Sequence, residues 1–132
     1  FLFTSSDRFD ENSDRIRAVR NKKFKYIRNY FPENPHALDV DYRKQMVLMR
    51  HLTTLNLTGK LSIQQSNWFR TPKLMEELYD LENDPFELKN LSENPEYNKI
   101  KNNLSQELDS WLENIDDLGR IPESELYKLI GK

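Results

Sequence analysis

The segment Ser5-Ser6-Asp7-Arg8-Phe9-Asp10-Glu11 concentrates side chains able to do chemistry. The adjacent carboxylates Asp10 and Glu11 could hold a metal ion or share acid/base work. Arg15 to Arg28 holds seven basic residues in fourteen and no acid. Arginine forks match planar or tetrahedral oxyanions, so phosphate or sulfate groups are one class of ligand. Nucleic acid is another, because Lys and Arg displace its counterions. A solvated outer face of a sheet is the third reading of the same charges. His36 lies in a Pro-rich loop and is free to touch a ligand. His51 falls inside an expected helix, close to a methionine stripe, and reads as structural. A nucleophilic serine needs a base within reach, and neither histidine sits in a recognisable motif. The three glycines, at 59, 119 and 131, form no phosphate loop. Cysteine is absent, which excludes disulfides, thiolate metal sites and a cysteine nucleophile within this chain. The chain carries no self-sufficient catalytic motif.

The elements that must position these residues follow from periodicity. Phe1 to Thr4 reads as a short strand, and Ser5 to Asp14 as a polar loop at its end. Loops at strand ends are where a rigid scaffold holds binding groups. Arg15 to Tyr30 reads as a hairpin. Phe24 and Tyr26 alternate with Lys25, the period of a half-buried strand, and the basic residues are expected on the other face or at the turn. Asn21 suits that turn because it tolerates a left-handed conformation. Pro32 and Pro35 make the next stretch irregular. A helix is expected from about Asp41, with Tyr42, Met46, Met49 and Leu52 as its stripe. Asp39 or Asp41 would cap it and Gly59 would end it. Ser62 opens a short helix, Ile63 to Phe69. Glu77 to Leu81 is a strand candidate, and Asp84-Pro85-Phe86-Glu87 reads as a capped helical turn. The clearest element is the helix from Pro95 to about Ile115, capped by Asn94. Its stripe is Tyr97, Ile100, Leu104, Leu108, Trp111 and Ile115, widened by Leu112. A last short helix is expected over Pro122 to Ile130. The expected fold class is α+β: a small antiparallel sheet of about four strands packed against the long C-terminal amphipathic helix.

A length of 132 residues argues for one domain or a piece of one. The mean hydropathy of −0.88 is low, but 7 Phe, 6 Tyr and 2 Trp are too many for a solvated linker. No apolar run is long enough to span a membrane. The opening Phe1-Leu2-Phe3 reads like a strand cut from something larger. The net charge of −2 is unevenly spread, because Glu76 to Asp117 holds thirteen acids against three lysines. That asymmetry implies either an anionic partner for the basic hairpin or attraction between the two halves. Three Asn-x-Ser/Thr sequons, at Asn56, Asn90 and Asn103, matter only in a eukaryotic secretory chain.

Glu77-Leu78-Tyr79-Asp80-Leu81-Glu82-Asn83-Asp84-Pro85, followed by Glu87, Asn90-Leu91 and Asn94-Pro95-Glu96-Tyr97, strongly resembles the C-terminal region of sulfatases. There an E-L-Y-D-L run precedes the last amphipathic helix. Arg17-Ala18-Val19-Arg20 and Lys25-Tyr26-Ile27-Arg28-Asn29 look like the hairpin of the same family. The resemblance covers roughly residues 1–125 and is nearest to the N-sulfoglucosamine sulfohydrolase (heparan N-sulfatase) group and similar bacterial sulfatases.

The resemblance implies an alkaline-phosphatase-like sulfatase whose N-terminal catalytic domain holds a calcium ion and a formylglycine made within a C/S-x-P-S-R motif. No such motif occurs in this chain. The resemblance therefore implies that residues 1–132 form the smaller C-terminal subdomain, inactive alone, with no catalytic, metal or cofactor residue of its own. Its partners would be the N-terminal catalytic domain of the same protein and a sulfated carbohydrate such as a glycosaminoglycan. Its location would be periplasmic, extracellular or, in a eukaryote, lysosomal. The resemblance also sets the loop of Asp7, Arg8, Asp10 and Glu11 facing the pocket, and with His36 these are the substrate-binding candidates. The N-sulfatase group has histidines where this chain has Asp7 and Arg8. Two alternatives stand beside this reading: a nucleic-acid-binding module using Arg15 to Arg28, and a stand-alone interaction domain whose helix stripe is an interface.

Overall fold

The computed structural model describes residues 1–129 and 131. Four strands, β1 (Leu2–Phe9), β2 (Asn12–Arg20), β3 (Phe24–Asn29) and β4 (Glu76–Asp80), form one antiparallel sheet in the order β1-β2-β3-β4. Between β3 and β4 lie α1 (Asp41–Gln45), α2 (Val47–Leu57), α3 (Ile63–Ser66) and a 3-10 turn over Asn67–Phe69. A second 3-10 turn, Pro95–Tyr97, leads into α4 (Asn98–Asn114). A third, Leu118–Arg120, precedes α5 (Glu123–Leu129). The expected end of the last helix at Ile130 lies outside the described residues.

The core sits between the sheet and α4. Val19, Phe24, Tyr26, Leu78, Leu91, Leu104 and Leu108 are buried together, with Phe3, Tyr97, Ile100, Trp111 and Leu112 packed against them. The α+β arrangement expected from periodicity is the one observed. Trp111 stacks on Phe3 at 4.9 Å between ring centroids and 7° between planes. The helix stripe is thus the chain's own core, and the reading of it as an external interface loses its basis. Only its end, Ile115, stands exposed. Phe1 and Leu2 are exposed at the sheet edge, while Phe3 is covered.

Three expectations change. First, Ser5 to Asp14 is not a loop. β1 continues to Phe9 and turns through Asp10 and Glu11 alone, because Phe9 pairs with Asn12. Asp10 takes the left-handed conformation (φ 55°) that such a tight connection requires. Second, Asn21 acts through its side chain, whose Oδ1 accepts from the Lys23 and Phe24 amides at 2.8 and 2.7 Å. This Asx turn closes the β2–β3 hairpin without left-handed backbone at Asn21. Third, the helix after Asp41 breaks at Met46, whose ψ is 128°. The break splits the expected stripe, and no side chain of α1 or α2 is buried. His51 is exposed rather than packed. Neither Asp39 nor Asp41 caps α1, since the residue before the helix is Val40 and makes no side-chain cap. Glu11 Oε1 instead accepts from the Asp41 amide at 2.6 Å.

Other local signals hold. Gly59 ends α2 with φ 64°, the Gly59 amide donating to Asn56 and the Lys60 amide to Leu55, the bond pattern of a glycine-terminated helix. Ser62 and Gln65 form a reciprocal capping box at α3. Asp84 to Glu87 forms turns rather than a helix. There Asp80 Oδ1 takes the Glu82 and Asn83 amides, and Asp84 Oδ2 takes the Lys89 amide.

Candidate functional site

Asp7, Arg8, Asp10 and Glu11 do not converge on one pocket. Successive strand residues face opposite sides, so Asp7 turns to the α4 side, where it lies 2.6 Å from Arg17 Nη1. Arg8 points away from it and pairs with Glu123 of α5, its Nε also donating to the Asp10 carbonyl at 2.6 Å. Glu11 holds the start of α1. Adjacent in sequence, Asp10 and Glu11 are therefore used differently, one for its backbone and one as a remote helix cap. No group of three or more His, Asp or Glu among the described residues could hold a metal ion.

A bulge reshapes β2 beside these residues. Ser6 pairs with Ile16 and Arg8 with Ser13, so Asp14 and Arg15 together oppose Asp7. An extra residue re-aims its neighbours. Asp14 turns into the sheet face away from α4 and pairs with Lys73, both buried. Arg15 turns to the α4 side and meets Asp117 at 2.8 Å.

On that far face lies a cleft of about 280 Å³ walled by His36, Trp68, Lys73, Glu77, Tyr79 and Asn90. Pro32 and Pro35 bend the chain across the sheet here. The Ala37 amide donates to Trp68 O, and the Lys73 amide to Pro32 O, each at 2.8 Å. Glu77 is the hub of the cleft floor. It accepts from Asn29 Nδ2 at 2.6 Å and from the Tyr79 hydroxyl, and His36 Nε2 lies 3.2 Å away. Burial alone would raise the Glu77 pKa, but the bonds from His36, Tyr79 and Asn29 outweigh it and hold the carboxyl below its ordinary range. Burial and the adjacent Glu77 carboxylate push the Tyr79 phenol well above its ordinary value. An aromatic wall with converging amides and hydroxyls suits a hydroxyl-rich ligand. Of the five sequence candidates, only His36 reaches this cleft. The signal for Glu77 and Tyr79, which are not among those candidates, is the strand itself: the two share the face opposite Glu76 and Leu78.

The basic hairpin is neutralised from within. Arg17 and Arg28 stand on the α4 side with Val19 and Tyr26, not on an outer face. Arg17 pairs with Asp7 and Asp117, Arg15 with Asp117, Arg28 with Asp109, Lys23 with Glu82 and Lys25 with Glu87. Arg28 Nη2 also donates to Ser105 Oγ at 2.7 Å. The two halves attract one another, and the open cationic face that a nucleic-acid reading needs is not formed by these residues.

No protein-family model matches the chain. It is 51% identical over 126 residues, 96% of its length, to an ulvan-active sulfatase of Formosa agariphila. It is 37% identical over 109 residues, 77% of its length, to a second ulvan-active sulfatase of that organism. The chain spans about a fifth of the length of these curated relatives, 21% and 18%. The matched portion of the first relative is its C-terminal part, and the sheet-and-helix fold agrees with that correspondence. On this likeness the chain is a C-terminal region of the sulfatase family.

Proposed function

We propose that this chain is the C-terminal subdomain of an enzyme hydrolysing the sulfate ester or sulfamate of a sulfated carbohydrate. The observation that carries it is the 51% identity to an ulvan-active sulfatase over 96% of the chain. In this reading residues 1–132 complete the fold of a larger hydrolase and shape one edge of its substrate pocket. The N-terminal domain of the same protein supplies the nucleophile and the calcium ion, and the enzyme works in the periplasm or outside the cell. Alone, this chain is inactive. The relatives favour ulvan over a glycosaminoglycan as the polymer to test. Within this chain, His36 at the far-face cleft is the substrate contact that the geometry supports best. Asp7, Arg8, Asp10 and Glu11 form the exposed rim of the β1–β2 hairpin end, where Arg8 pairs with Glu123.

The test compares this chain with the longer protein that contains it, using an aryl sulfate and ulvan. Turnover by the longer protein and none by this chain is the expected result. Turnover by this chain alone would overturn the division of labour. A longer protein without a C/S-x-P-S-R motif upstream would overturn the sulfatase reading.

A further inference from the structure

We propose that the stretch Tyr42 to Met75 carries a polyanion-binding groove that holds a sulfated polysaccharide; this rests on the sulfatase reading. Those 34 residues include no Asp or Glu and six basic residues, Arg43, Lys44, Arg50, Lys60, Arg70 and Lys73, in a chain of net charge −2. Lys73 is committed to Asp14, and Lys44 to Asp39 and Asp41. Arg43, Arg50, Lys60 and Arg70 have no carboxylate within 4.0 Å among the described residues. The hairpin is the reverse case, because five of its seven cations are paired. Unneutralised positive charge is therefore concentrated on the α1–α2 side.

A groove of about 440 Å³ runs between these helices and residues 37–40, and both Arg43 and Arg50 line it. Thr53 and Thr54 add hydroxyl groups, while Met49 and Phe69 give an apolar floor. Arg43 is held in place by stacking, its guanidinium 4.4 Å from the Phe9 ring centroid and 5.4 Å from that of Trp68. A fixed guanidinium loses less freedom on binding an oxyanion, and its fork fits sulfate bidentately. Apolar floor and hydroxyl rim match the two kinds of surface on a sugar ring. Asp39 also lines the groove, but Lys44 lies 3.1 Å from it and offsets its charge. The exposed apolar residues of α2, Val47, Leu48 and Leu57, lie outside the groove. The groove itself is thus defined by charge complementarity to a polyanion rather than by an apolar protein partner.

The experiment measures binding of dextran sulfate, dextran and poly-glutamate to this chain across a salt series. Arg50→Gln and Arg43→Gln are compared with Arg20→Gln at the hairpin turn. Arg50 is exposed, so its variant keeps the fold even if Arg43→Gln does not. The expected result is a loss of roughly 3–10-fold in dextran sulfate affinity for Arg50→Gln, with a salt slope shallower by about one. Arg20→Gln should bind as wild type, and dextran should bind far more weakly. Equal losses for Arg20→Gln and Arg50→Gln, dextran binding as tightly as its sulfate, or tighter capture of poly-glutamate would each overturn the groove. Aryl sulfate turnover by the wild-type longer protein reports separately on the sulfatase reading.

Discussion

Arg17 and Asp117, one hundred residues apart, meet through two hydrogen bonds, Nη2 to Oδ1 at 2.7 Å and Nε to Oδ2 at 3.3 Å. The Arg17 side chain is 1% exposed and that of Asp117 11%. The pair fastens the middle of the sheet to the segment after α4. Arg15 reaches the same carboxylate and Asp7 the same guanidinium, so four charges close on one another beneath the end of the helix. Burial would raise the Asp117 pKa, but the bonds from Arg17 and Arg15 hold it below the ordinary carboxylate range. The uneven charge of the chain is thereby satisfied internally.

Asp117→Asn keeps the shape of this contact and removes its charge. It leaves Arg17 with one half-exposed carboxylate, Asp7, and Arg15 with no carboxylate within 4.0 Å among the described residues. Breaking one side of a buried ion pair is costly, so a loss of about 2–3 kcal/mol is expected in urea unfolding. A joint replacement, Arg17→Met with Asp117→Leu, should recover most of that loss. A loss below about 0.5 kcal/mol for the single variant, the scale of an ordinary surface change, would sink the fastening role.

Gly119 lies against the same pair. A Cβ there would stand 2.0 Å from Arg17 Nη2 and 2.8 Å from Asp7 Oδ1. A guanidinium tip can normally move aside, but this one is pinned on both sides and enclosed. Gly119→Ala should therefore cost about 1–3 kcal/mol. Its effect should be less than additive with Asp117→Asn, since both disturb one contact. Full additivity in a double-mutant cycle would show that the alanine acts elsewhere.

The parts of the fold legible in the sequence are those whose signal is local. Leu104, Leu108 and Trp111 recur at helical spacing, and Phe24 with Tyr26 at strand spacing, so the sheet-and-helix layer could be read directly. Charge totals left attraction between the halves as one of two readings beside an anionic partner, and did not mark Asp117 as the acceptor for Arg15 and Arg17. Such pairing is set by a bulge at Asp14 and Arg15 that no periodicity reveals. The run Ser5 to Asp14 reads as a loop because its residues are polar. Its first part, Ser5 to Phe9, is an edge strand with few neighbours to bury it, and register with β2 rather than hydrophobicity makes it extended. The cleft was missed because Glu77 and Tyr79 took their meaning from residues 36 and 68, which only the crossing loop brings near.

Leu108 has no exposed surface and sits at the centre of the core. Leu108→Ala removes three carbon atoms where the sheet and helix both restrict collapse, so a loss of about 2–5 kcal/mol is expected. Leu57, 80% exposed on α2, is the counterpart. Leu57→Ala in this chain should change stability by no more than about 0.5 kcal/mol. Comparable losses for the two would show that α2 is packed in solution and not open.

The Glu77 carboxyl couples the cleft to pH. Its pKa in the folded chain is depressed, because the bonds from His36, Tyr79 and Asn29 favour the charged form more than burial disfavours it. The unfolded chain titrates near about 4.3. A depressed folded value means that the unfolded state takes up the proton first as pH falls. The stabilisation is therefore complete above about pH 5 and is lost on acidification through the folded value. Glu77→Gln cannot ionise, so its unfolding free energy should lack this component of the acid limb. Wild type should be the more stable at pH 6, and the gap between the two should narrow steadily below about pH 4. The measurement is urea unfolding of both proteins from pH 6 to pH 2.5. Parallel curves across that range would mean that Glu77 binds protons equally in both states, contrary to the two hydrogen bonds it accepts and the His36 contact beside them.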